Sequence, residues 1–524
     1  MRWTSALLAT AALTMVPLVA PSAKTFKWIN DGDVVSMDPT YFNETFLLGF
    51  MQNIYEPLAR RSKTLELEPA LATKWEQVDP KTWRFTLRQG VKYHGGESFT
   101  ADDVVFSLER ARMDGSDVKS KLASIDTIKK VDDFTVDLIT KVPDPLLPGQ
   151  LGTVFILSKQ WAEKNNAMKP TDVKKKEEGF ITRNANGTGP FQLVTREPGV
   201  RTTLKANAAW WDKPEHNLTE VIFEPVPQAS TRLQALLAGQ ADMVYTLSTQ
   251  DIDRVKKEAS LKMYEGPEMR TIFLGFDQKR DELEGSNIKG KNPFKDVRVR
   301  KAVYQAIDEN AIVSRVMRNA ATATGLMVAP TINGFDKEQN ARFPFDPEAS
   351  KKLLAEAGYP DGFEVLMDCP NDRYANDEQT CLAIVPMLKR IGITAKLTAQ
   401  SKATYFPKIL GRNSSFYLLG WTPDTYDSYN ALFNLMATPG DGGRGAFNLG
   451  SWSNAKFDEL TAKVQSETDQ AKRNAMIKEA FQIHKDEVGH IPLHQTSLAW
   501  AAKKNIDLVQ GPDNIFQWRW VKVN

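Results

Sequence analysis

Two carboxylates and an indole share one short stretch of this chain, GWTPDTYDSYN at 420–430. Asp424 and Asp427 stand three residues apart, directly after the apolar run FYLL at 416–419. Paired carboxylates can cleave a glycosidic bond, but such groups flank the bond about 5–9 Å apart. Two acids three residues apart on one loop more often point in separate directions. A carboxylate beside Trp421 suits an ammonium group better. The acid supplies an ion pair, and the indole a flat apolar wall with cation–π attraction. The stretch therefore reads as a clamp for a cation. A plain polar loop and a secreted hydrolase using both acids are the alternatives.

Other residue patterns carry less. GSNIKGKN at 285–292 approaches a phosphate-binding loop, but Asn292 stands where a magnesium-binding hydroxyl is needed and Pro293 follows at once. Three of the five histidines fall in HKDEVGHIPLHQ, yet the four-residue step from His490 to His494 contains Pro492 and no carboxylate. A helical zinc site needs a Glu between two such histidines, so no metal and no cofactor is expected. No nucleophile elbow is present. Cys369 and Cys381 are the two cysteines. In an exported chain they are expected to form one disulfide, worth about 3 kcal/mol for so short a loop. Two buried free thiols are the other reading.

The elements that must position these groups alternate between helix and strand. Residues 25–30 read as a short strand, and in WRFTLR Trp83, Phe85 and Leu87 alternate with polar neighbours, the period of a half-buried strand. Thr100 and Asp103 form a capping-box pattern ahead of a helix. FTVDLI at 134–139 alternates again. A helix at 230–238 ends at Gly239, and another has Asp346 as N-cap, Pro347 at its first position and Gly358 beyond its end. A strand at 363–367 and a helix around 382–391, in spite of Pro386, follow.

At 524 residues the chain is too long for one core and suggests about three lobes. A composition of 42% hydrophobic and 25% charged residues is globular, and a net charge of +2 gives no reason to invoke nucleic acid or an anionic membrane. Arg2, an apolar run at 6–20 and small residues at 20, 22 and 23 have the order of a secretory signal peptide cut between 20 and 23. No cysteine lies nearby to carry a lipid, so a soluble periplasmic protein is expected.

Eight phrases in order then resemble one family: IYEPL (54–58), LEPALATKWE (67–76), WRFTLRQGVKYHGGESFTADDVVFSLER (83–110), GTGPF (187–191), STRLQALLAGQAD (230–242), NPFKDVRVRKAVYQAID (292–308), LLAEAGYPDGF (353–363) and GWTPDTYD (420–427). The chain resembles the extracytoplasmic solute-binding proteins of ABC importers, in the peptide/nickel/opine-binding group that includes dipeptide- and oligopeptide-binding proteins.

That resemblance implies an α/β fold, a three-lobed periplasmic-binding-protein clamshell with its hinge between lobes I and III. Lobe I is expected at 24–58, 186–268 and 495–524, lobe II at 59–185 and lobe III at 269–494. FTADDVVFSLER and VRVRKAVYQAID are expected to be packing signatures. By the same resemblance Asp424, beside Trp421, pairs with a ligand amino group, and Arg373 or Tyr374 meets a ligand carboxylate. The turn of Tyr41 and Phe42 lines the site. The implied role is capture of a peptide or peptide-like cationic solute for ABC permease subunits in the inner membrane, as a monomer without chemistry or nucleic acid. An opine, sugar or metal chelate is the alternative ligand.

Overall fold

Two long strands, Leu261–Phe276 and His490–Lys503, run antiparallel through the middle of the molecule and hold one large mixed sheet together. The computed structural model describes residues 24–423 and 425–524. The expected signal segment and Asp424 lie outside the described residues. On one side of the long pair come Met243–Val244, Thr25–Asn30, Glu220–Pro225, Arg201–Ala206 and Phe191–Glu197, in that order. On the other side lie Phe416–Trp421, Phe363–Pro370 and Ile393–Gln400. The last ten residues of Leu261–Phe276 include a continuous apolar run, TIFLGF, and are buried almost throughout, as a strand covered on both faces requires.

Register along the long pair shifts twice, widely between Pro267 and Thr271 and again between Ile272 and Phe273. Pro267 pairs with Ser497 and Thr271 with Gln495, so Glu268, Met269 and Arg270 oppose a single residue. Thr496 pairs instead with Ala321 of a short third strand, Ala321–Ala323. A bulge of this kind bends a strand and adds twist, and this one falls where the two halves of the sheet meet.

A separate four-stranded antiparallel sheet forms from Ala72–Asp79, Thr82–Leu87, Thr135–Thr140 and Ile125–Asp132, with helix Ala101–Arg112 against it. The helix starts as its sequence predicts, the Thr100 N–H donating to Asp103 Oδ2 at 2.9 Å. At its other end Arg110, 1% exposed, donates to both carboxylate oxygens of Asp38, at 2.9 and 2.7 Å. Asp38 also accepts from Thr40 and Thr171. Burial pushes its carboxyl up, but Arg110 and these donors outweigh that and hold it low. FSLER thus anchors the turn that leads to Tyr41 and Phe42. GTGPF works by close approach: a Cβ on Gly187 would lie 2.0 Å from the Ile54 carbonyl oxygen, and the Gly189 N–H donates to that oxygen at 2.9 Å.

Two elements exceed their predicted bounds. The strand at 363 continues to Pro370, and the next helix begins at Asp377, not near 382. Asp377 explains the early start, because its carboxylate accepts the N–H groups of Arg373, Tyr374 and Glu378, each at 2.9 Å. Pro386 sits inside this helix. The carbonyl it leaves without an intrahelical partner belongs to Leu382, which is 53% exposed. Cys369 ends up on the strand and Cys381 on the helix, joined by a disulfide with Cα atoms 6.6 Å apart. No helix among the described residues is long and apolar enough to cross a membrane.

Candidate ligand-binding cleft

Where the two halves of the sheet and the smaller sheet's domain converge lies a cleft of about 1660 Å³, counting the part open to solvent. Helix Thr45–Met51 forms one wall, the loop after strand Phe363–Pro370 and the end of strand Phe416–Trp421 another, and the loops around residues 121–124 and 150–153 a third. Aromatic rings dominate the surface. Phe42 meets Phe406 edge-on at 6.4 Å, and Trp421 packs on Phe447 at 4.8 Å. The Trp421 indole N–H donates to Asn430 Oδ1 at 2.9 Å, which fixes the ring plane. Gly420 is required for a similar reason. A Cβ there would lie 2.9 to 3.0 Å from Tyr374, Ile272 and Arg270, and its N–H donates to the Tyr374 hydroxyl at 3.0 Å.

Charged groups line the cleft mostly as internal pairs. Arg373 Nη2 lies 2.9 Å from Glu44 Oε1, each side chain 16% exposed. Glu44 is also the N-cap of helix Thr45–Met51 and accepts the Leu47 N–H at 3.0 Å. Burial pushes the Glu44 carboxyl up, yet Arg373, Lys402 and the Leu47 N–H more than offset it and hold it below the usual carboxylate range. Arg270, in the bulge, donates to Glu268 at 2.8 Å. Tyr426, in left-handed backbone at φ 61°, donates its hydroxyl to Asp513 at 2.7 Å and carries the Arg61 guanidinium over its ring at 4.4 Å. Burial pushes the Asp513 carboxyl up.

With this geometry in place, comparison with known proteins assigns the chain. The family model for bacterial extracellular solute-binding proteins, family 5 Middle, matches residues 66–443. The chain belongs to that family. Its relatives include the dipeptide-binding protein of Escherichia coli K12, 27% identical over 523 residues and matched across 94% of this chain and 93% of that one. Heme-binding protein A of Haemophilus influenzae is 28% identical over 487 residues, covering 88% and 85%. The fold is shared with the Helicobacter pylori periplasmic binding protein DppA in complex with the peptide STSA, at a TM-score of 0.84 and 23% identity, covering 96% and 98% of the two chains. The three-lobed clamshell of the solute-binding proteins is therefore the architecture of this family 5 member.

Of the residues singled out in the sequence, Trp421, Arg373, Tyr374 and Phe42 line the cleft. Asp424 is outside the described residues, and its neighbours Thr422 and Thr425 both line the cleft. Tyr41 does not. It is 9% exposed, within the turn that Asp38 organises, where Glu178 and Asp172 are its charged neighbours. The turn closes at Tyr41, whose N–H donates to the Asp38 carbonyl, and of the two rings only Phe42 lines the cleft. Arg373 is also not an open guanidinium awaiting a carboxylate, because Glu44 already occupies it. Asp427 is a structural acid. Both its oxygens bind Arg473, at 2.6 Å each, and it accepts from Asn333 and from the Tyr429 N–H. Sequence reading missed Glu44, Arg61, Arg270 and Tyr426. Arg270 did leave a signal, since Glu268 and Arg270 are charged residues two apart at the start of an apolar strand. Glu44, in NET before an apolar run, marks a helix start but names no partner.

Proposed function

We propose that this family 5 member is exported to the periplasm and captures a peptide or peptide-like solute bearing an ammonium group, then delivers it unchanged to an ABC permease. The relatives that bind a dipeptide or a peptide by their names support the ligand class, and the cleft supports the mode. One observation carries the reading: an aromatic-walled cleft lies at the bulge where the long strand pair changes register, with polar contacts spanning it. In this reading the bulge at 267–271 is the hinge between lobes I and III, lobe II lies at 59–185, and Asp424 beside Trp421 takes the ammonium group. Closure excludes water, which strengthens every polar contact inside.

Native mass spectrometry of protein purified without denaturation tests this. The expected result is a co-purifying amine of peptide size, released intact on unfolding and unchanged after long incubation with fresh protein. A ligand without an amine, or one consumed during incubation, overturns the reading.

A further inference from the structure

The cleft has three arginines on its lining, and two are already neutralised by carboxylates of the same chain: Arg270 by Glu268 and Arg373 by Glu44. The second pair decides what a ligand can present to that wall. Glu44 cannot swing aside freely, because one carboxylate oxygen receives Arg373 and the other the Leu47 N–H. Arg373 is equally fixed, its backbone N–H held by Asp377 and its guanidinium 5.0 Å over the Tyr374 ring.

The Glu44 contact does not use every N–H of Arg373. Its Nε is buried and has no partner among the described residues. Gln52 Nε2, Thr422 Oγ1 and Asn434 Oδ1, on three further cleft-lining residues, are likewise buried and unpartnered among the described residues. A buried polar atom without a partner is costly, so these four atoms are hydrogen-bonding capacity on cleft-lining residues that the described residues leave unfilled. They are two N–H donors, a hydroxyl and a carbonyl acceptor, and only Nε belongs to a charged group. An N–H beside a fixed anion fits a neutral carbonyl oxygen. A ligand carboxylate brought to the same atom would be placed against Glu44.

We infer that Glu44 sets the charge preference of the cleft: by engaging Arg373 from within the chain, it selects ligands whose end at that wall is an uncharged amide or carbonyl over ligands with a free carboxylate. The inference rests on the peptide-like reading above and adds a constraint to it. It makes Glu44 a specificity-determining residue and Arg373 Nε the donor to the ligand's neutral carbonyl.

Calorimetry on the full mature chain tests it with two matched probe series, Leu-Phe and Phe-Phe as free acids and as C-terminal amides. Like-charge contact at a closed site costs enough for a preference of about tenfold or more, so the amides are expected to bind wild-type protein at least that much tighter. Glu44→Gln removes the anion but keeps an oxygen for the Leu47 N–H, and should raise acid affinity about tenfold or more relative to amide. Arg373→Met should weaken the amides without creating a preference for acids. Acids that bind wild type as well as amides overturn the inference and leave the peptide reading standing, as does an unchanged acid-to-amide ratio in folded Glu44→Gln. Absence of binding by either series overturns both. Should Glu44→Gln fail to fold, the wild-type ratio alone decides.

Discussion

Arg373 and Glu44 join opposite walls of the cleft, one from the loop beyond strand Phe363–Pro370 and the other from the cap of helix Thr45–Met51. Beside them the Asn376 amide donates to Thr249 Oγ1 at 2.8 Å, and Tyr426 reaches Asp513. All three contacts link residues 373–426 to parts of the chain on the far side of the bulge, so in the hinge reading proposed above they bridge the lobes in the closed state. Arg373→Met keeps much of the side-chain volume but leaves Glu44 part-buried without its cation. Losing a charge-assisted hydrogen bond costs about 1.5–3 kcal/mol, and here the cost falls on the closed state alone. Small-angle scattering of the ligand-free variant should show a larger radius of gyration than wild type. Superimposable profiles would mean that the pair does not hold the lobes together.

Asp424 and Asp427 should separate by phenotype. Asp427 is 5% exposed, paired through both oxygens with the buried Arg473, and caps helix Ser428–Ala431. Asp427→Ala strands a buried guanidinium, for which about 3–5 kcal/mol of lost stability is expected, read as a lower denaturant midpoint. Asp424→Asn should leave that midpoint close to wild type and weaken an ammonium ligand by about 1.5–3 kcal/mol. A variant of Asp427 with wild-type stability, or of Asp424 with wild-type affinity, contradicts the division of labour.

How much of this was legible beforehand follows from the range of each interaction. The capping box at Thr100, the N-cap at Asp346 and the alternation of Trp83, Phe85 and Leu87 are local, and local pattern located them. The disulfide needed only two cysteines and an oxidising compartment. Trp421 came from its place beside two acids, Phe42 and Tyr374 from resemblance of short phrases, and all three line the cleft. Tyr41 does not line it, because which of two adjacent turn residues faces a cleft is encoded neither in composition nor in phrase matching. Glu44 and Arg61 were invisible for another reason. Their significance lies in partners more than 300 residues away, and a charge on a helix cap or a short strand looks like any surface charge until the chain is folded.

The Cys369–Cys381 disulfide closes the loop that carries Arg373 and Tyr374, both ends fully buried. Replacing both cysteines by serine should lower unfolding free energy by about 3 kcal/mol from the chain-entropy term for a 12-residue separation. Affinity should fall as well, because the ordering of two cleft residues must then be met on binding. Denaturant titration and calorimetry on the same variant check both, and a stability loss with unchanged affinity would confine the disulfide to a purely structural role.

Acid sensitivity should trace to buried histidines. His484 Nε2 and His490 Nδ1 are 2.9 Å apart, the two rings stacked at 5.2 Å and 3% and 2% exposed. Burial pulls His490 down to about 3, with Arg300 adding repulsion. Burial followed by repulsion from His490 pulls His484 well below its ordinary value. In the unfolded chain both titrate near about 6.5. Their folded values are depressed, so the stability they contribute is complete above that pH and is lost as pH falls toward the folded values. Below pH 6 the unfolded chain binds about two protons that the folded pair refuses, a slope of about 1.4 kcal/mol per pH unit for each. Asp377 opposes this, since burial raises its carboxyl to about 6 and the folded state gains a proton there first. The clean measurement is therefore a difference: denaturant stability between pH 6.5 and 5 for wild type and for His484→Gln/His490→Asn. The variant is expected to be less stable at neutral pH but to lose stability less steeply on acidification, by close to two proton equivalents. Parallel pH profiles would show that the pair is not what acid attacks.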